Sequence, residues 1–121
     1  MSEPIKSYRD LIAWQKAYAL GKAVYQAAGQ LPEAERFGLM SSLRRIGTGI
    51  ASHIAQGYGR GNTPDYIWFL KQARGELYVL DTQLLFCLDF KYVLQGQYTQ
   101  LKSDLDESER VLAGLIRSLG G

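Results

Sequence analysis

The residues best suited to chemistry in this chain are cations: Arg44, Arg45, Arg60, Lys71 and Arg74. All fall between residues 36 and 74. There six basic side chains, Arg36 included, stand against one acid, Asp65, for a net charge of +5. A guanidinium donates two parallel hydrogen bonds from a planar fork, which matches the oxygens of a phosphate. Arg45, Thr48, Ser52 and Gln56 recur at helical spacing. They form a cationic, hydrogen-bonding strip of the kind that follows a phosphate backbone. The opposing reading is structural, with the same charges serving as salt bridges between helices and between subunits. Residues 75–121 carry four basic and seven acidic side chains, a net of −3.

Other chemistries find little support. With one histidine, His53, and one cysteine, Cys87, the usual zinc sites are excluded. A di-iron site in a helical bundle needs paired Glu-x-x-His motifs, and the chain has none. His53 precedes a core isoleucine within a helical pattern and reads as a partly buried structural histidine. Cys87 lies on an apolar stripe and reads as a buried structural thiol. Gly57-Tyr58-Gly59-Arg60-Gly61 follows a helix, so it reads as a helix cap and turn, although its amides beside Arg60 offer an anion a place to bind. The acids Asp104, Asp106, Glu107 and Glu109 read as the solvated face of a helix. No catalytic residues, no metal and no cofactor are expected, and the chain is read as a non-enzyme.

The positioning elements are legible as helices. Tyr66, Leu70, Ala73, Leu77, Leu80, Leu84 and Cys87 alternate four and three apart, an unbroken heptad stripe. Three other segments repeat the pattern, and no alternating strand pattern is present. The spacing predicts helices over about 9–30, 33–58, 64–88 and 95–119 in a single domain spanning residues 1–121. Ser7 with Asp10 resembles a capping box. Pro32 ends the first helix, Glu33 begins the second, and Pro64 begins the third after Thr63 as a cap. Gly47, Ala51 and Ala55 make a smooth ridge for close helix approach. Short connections make neighbours antiparallel, so the predicted fold is all-α, an antiparallel up-down-up-down four-helix bundle.

The first and third helices each carry a second apolar stripe. On the first, Leu11, Trp14, Tyr18, Gly21, Tyr25 and Ala28 make one stripe and Ala13, Ala17, Leu20, Val24, Ala27 and Leu31 the other; on the third, Trp68, Gly75, Val79 and Phe86 stand on another side from the heptad stripe. A bundle needs one stripe per helix, so Trp14, Trp68, Tyr78 and Phe86 are expected to form a subunit interface. The alternative is a thicker core that uses both stripes. No apolar run is long enough to span a membrane. Met1 to Lys6 lacks the apolar stretch of a signal peptide, so a cytoplasmic protein without membrane attachment is expected.

The stretch Leu31-Pro32-Glu33-Ala34-Glu35-Arg36-Phe37-Gly38-Leu39, the triplet Leu43-Arg44-Arg45, and the run from Ile50 to Arg60 are distinctive. Ala73 to Leu84 continues the pattern. Together they resemble the bacterial four-helix bundle family of proteins encoded in intervening sequences of 23S ribosomal RNA genes. The accessory protein of diversity-generating retroelements is similar. The resemblance covers Tyr8 to Leu119. It implies an up-down bundle, a ring of five identical subunits, and a role in binding nucleic acid. The chain departs from the usual family pattern at four positions. His53 stands for asparagine, Gln56 for glutamate, Glu76 for serine and Val79 for glutamate, which suggests a rewired polar contact between helices.

Two functions follow as expectations. One is a non-enzymatic, oligomeric accessory protein that holds the RNA or DNA backbone through Arg44, Arg45, Arg60, Lys71 and Arg74. Nothing in the chain supplies base-specific readout, so such binding is expected to be weakly sequence-selective and strongly salt-dependent. The other is a scaffold that recruits another protein, with no direct nucleic-acid role.

Overall fold

The computed structural model describes residues 4–121. Four α-helices follow one another: α1 Ile12–Ala28, α2 Leu39–Tyr58, α3 Thr63–Asp89 and α4 Gln95–Ser118. There is no strand among the described residues. Each helix packs on its two neighbours around a square, α1 on α2 and α4, and α3 on α2 and α4. The diagonal partners do not meet backbone to backbone. This is the expected four-helix bundle.

The heptad stripe of α3 forms one wall of the core. Leu70, Ala73, Leu77, Leu80, Leu84 and Cys87 are all at most 2% exposed. Leu43, Ile46, Ile50 and Ile54 face them from α2. From α1, Ala13, Ala17, Leu20, Val24 and Ala27 fill the opposite side, and Leu101, Leu105, Leu112 and Ile116 close it from α4. Each buried Leu or Ile stabilises the fold by roughly 1.5–3 kcal/mol. Near the end of α4 the core position is Ile116, and Leu115 beside it is half-buried.

Two helix starts differ from the sequence reading. The first helical residues, Tyr8–Asp10, form a separate 3-10 turn. Ser7 and Asp10 do make the expected capping box, but they cap that turn, and Leu11 is extended before α1 begins. Glu33–Glu35 likewise form a 3-10 turn, and α2 starts only at Leu39. Gly38 lies outside helical geometry at φ −111°, ψ −115° and breaks the continuity. The Glu35 carboxylate then accepts from the Leu39 amide at 3.2 Å. At α3 the capping side chain is Asn62, one residue before the expected Thr63, and it accepts from the Asp65 amide at 2.9 Å. The turn before it needs glycine at Gly61, where φ is +82°.

The α1–α2 crossing is close because both helices offer glycine there. A Cβ on Gly21 would stand 2.6 Å from the Gly47 carbonyl oxygen, so the two backbones touch. Gly57 plays the same part against α3, where an added Cβ would lie 2.7 Å from the Cβ of Phe69.

Candidate nucleic-acid interface

The five cations named from the sequence do not form one surface. Arg44 turns toward α1, where its Nε donates to the Tyr25 carbonyl at 3.3 Å and its guanidinium lies 4.4 Å from the centre of the Tyr25 ring. A cation suits that position, since the last carbonyls of a helix carry partial negative charge. Arg45, one position on, faces outward. It makes no ion pair among the described residues, though its charge reaches Glu76 of α3. Arg60 is held at the far end of α2, 3.3 Å from the Asp65 carboxylate and 5.7 Å from the Phe69 ring centre. That pairing compensates the cation on which an anion site at the glycine turn would depend.

Lys71 and Arg74 stand elsewhere. They share the edge of α3 that carries Tyr78, and the Tyr78 hydroxyl donates to Glu109 of α4 at 3.1 Å. Neither makes an ion pair among the described residues. The acids of α4 are largely engaged. Lys102 bridges Asp81 at 3.0 Å and Asp106 at 3.1 Å, and Glu107 pairs with Lys16 of α1 at 2.9 Å. The Lys16 ammonium holds the Glu107 carboxyl below its usual range.

The seam between α2 and α3 contains a polar cluster. Nδ1 of His53 lies 3.1 Å from the Gly49 carbonyl and also meets the Glu76 carboxylate. Burial lifts the Glu76 carboxyl above its ordinary value, opposed by His53 and by Arg45. Further along the seam, Gln83 Nε2 donates to the Ser42 hydroxyl at 2.8 Å. Burial likewise pushes the Cys87 thiol up to about 11, so this buried cysteine is a poor nucleophile near neutral pH.

On the other flank of α2, between α1 and α2, lies an open groove of about 590 Å³. Its floor is made of Gly21, Gly47, Ala51 and Ala55, its walls include Tyr8, Trp14, Tyr18 and Tyr25, and Thr48 and Ser52 line the α2 side. Sequence reasoning assigned Trp14 to a subunit interface with Trp68, Tyr78 and Phe86. The structure separates them. Trp14 is half-buried in this groove on α1, whereas the other three lie on α3, at the opposite corner of the square. There Trp68 is 56% exposed, Tyr78 52% and Phe86 49%. Arg9 and Lys22, which also line the groove, were not singled out. Their signal was present as basic residues interleaved with Tyr8, Trp14, Tyr18 and Tyr25.

The model of the 23S rRNA-intervening sequence protein family matches residues 9–114. The chain belongs to this family. No curated protein matches it. The family match runs from the first helical turn into α4 and takes in the seam, all five cations and the groove lining other than Tyr8. His53 and Glu76 are direct partners across the α2–α3 seam. No helix is long and apolar enough to cross a membrane. Among the described residues, no group of three or more His, Cys, Asp or Glu side chains is placed to hold a metal ion.

Proposed function

We propose that this family member is a non-enzymatic accessory protein that binds the backbone of RNA or DNA through the outer face of α2. The observation that carries this reading is Arg45. It is exposed and without an ion pair among the described residues, in line with the exposed residues Thr48 and Ser52, and adjacent in the chain to Arg44. The net charge of +5 over residues 36–74 supports it. Cytoplasmic nucleic acid, rather than a membrane surface, is the partner in this reading. The five-fold ring implied by the family likeness would repeat the strip and raise affinity by multivalency.

The test is binding of a labelled oligonucleotide across a salt series. Wild-type protein binds at low salt with a steep logarithmic salt slope. Arg45→Glu reduces that slope by about 0.7 to 0.9, one phosphate contact. Lys71→Glu with Arg74→Glu, on the α4-ward edge of α3, has a smaller effect. Absence of binding at low salt, or an Arg45→Glu protein that binds unchanged, overturns the reading. The exposed α3 stripe favours a second activity alongside it, assembly with other copies or recruitment of a protein partner through Trp68, Val79 and Phe86.

A further inference from the structure

We propose that the α1–α2 groove is a stacking site for the bases of single-stranded nucleic acid. The inference rests on the nucleic-acid reading above and adds the class of strand and the place where its bases lie. The groove's volume of about 590 Å³ lies within the range of small-ligand sites. The floor is nearly bare backbone at Gly21 and Gly47. Flat groups can therefore approach the helices without meeting bulky aliphatic side chains.

The aromatic wall is preassembled. Trp14 and Tyr18 stack with centroids 4.9 Å apart and an interplanar angle of 21°, and Tyr8 meets Trp14 edge-on at 5.4 Å. Tyr18 is 47% exposed and Tyr25 48%. From Trp14 to Tyr25 the helix rises about 16 Å, room for roughly four or five nucleotides at the spacing of a stacked strand. Aromatic side chains accept any base on a ring face, which fits a protein without base-reading motifs.

Charge selects an anionic occupant. Arg9, Lys22 and Arg44 stand over Tyr8, Tyr18 and Tyr25 at 5.8, 5.1 and 4.4 Å. Among the described residues, no carboxylate lines the groove. A strand whose bases enter the groove brings its phosphates to these cations and to Arg45 on the adjoining face of α2. A duplex keeps its bases paired and stacked, so it can use only the cations.

The experiment compares an oligothymidine, a duplex of equal length, inorganic polyphosphate and thymidine monophosphate. Wild-type protein binds the oligothymidine tightest, and the strand quenches Trp14 emission in a Trp68→Phe background. Polyphosphate binds without quenching, and the mononucleotide binds far more weakly than the strand. Ser52→Trp, which fills the groove from an exposed position, and Tyr18→Ala each weaken single-strand binding about tenfold, and Tyr18→Ala leaves duplex binding unchanged. Circular dichroism establishes that each variant is folded.

Equal affinity for strand and duplex, with both variants unaffected, overturns the stacking site and leaves backbone binding standing. No binding of any nucleic acid overturns both. A mononucleotide that binds as tightly as the strand also overturns the proposal and makes the groove a metabolite pocket. If Ser52→Trp changes the number of subunits and not the affinity, the groove holds a second copy of this chain and the proposal fails.

Discussion

Glu76 of α3 lies over Gly49 of α2 and meets the ring of His53 one turn further along. A Cβ at position 49 would come within 2.5 Å of the Glu76 carboxylate, so the glycine makes the room that the acid occupies. The folded protein holds the Glu76 proton more tightly than the unfolded chain does, because burial raises this carboxyl above 4.5. By linkage, its contribution to stability is greatest below 4.5 and declines as pH rises through the raised folded value. His53 and Arg45 both face the carboxylate and limit that decline. Urea denaturation across pH should show Glu76→Gln gaining on the wild type as pH rises through this window. Parallel curves would place the ionisation elsewhere.

The glycines divide into two kinds with opposite expected effects. Gly21→Ala drives a methyl into the Gly47 carbonyl, and Gly57→Ala drives one into Phe69. Each should lower stability by about 1–3 kcal/mol through overpacking. Gly75 has nothing within 4 Å of the place a Cβ would take. Gly75→Ala should stabilise α3 by up to about 1 kcal/mol through helix propensity. Chemical denaturation of the three variants checks both signs.

The outer side of α3 should govern assembly. Trp68 and Phe86 are five turns apart and point the same way, with Val79 between them. All three are exposed, and together they make an apolar stripe unusual for a solitary small domain. Light scattering should give wild-type protein a mass several times the 13.6 kDa of one chain. Trp68→Glu with Phe86→Glu should return it to a single chain. A wild-type particle of 13.6 kDa would remove the stripe from the account of assembly.

What the sequence disclosed followed from periodicity. The stripe from Leu70 to Cys87 needed only a helix to align it, and the core contains each of its members from Leu70 onward. Of the ridge of Gly47, Ala51 and Ala55, Gly47 lies where α1 approaches closely, and all three line the groove. The starts of α1 and α2 were misplaced for a local reason. Leu11 and Gly38 interrupt the backbone without disturbing the apolar spacing around them. The groove was missed because its parts come from two segments. Trp14, Tyr18 and Tyr25 repeat like any apolar stripe, and only the bare floor contributed by α2 turns that stripe into a concavity. The cations were seen singly, but their grouping depends on helix rotation. Residues 44 and 45 are adjacent in the chain, yet one leans on Tyr25 and the other reaches toward Glu76.

The square arrangement also bears on how the molecule is made. Each helix leads by a short link to one it touches, and only the α1–α4 contact joins the two ends of the chain. Most of the structure is therefore assembled from segments close in sequence, a topology that reaches its native form within milliseconds or faster. On a ribosome, the first three helices can dock before the fourth emerges, and the arrival of α4 closes the ring of contacts.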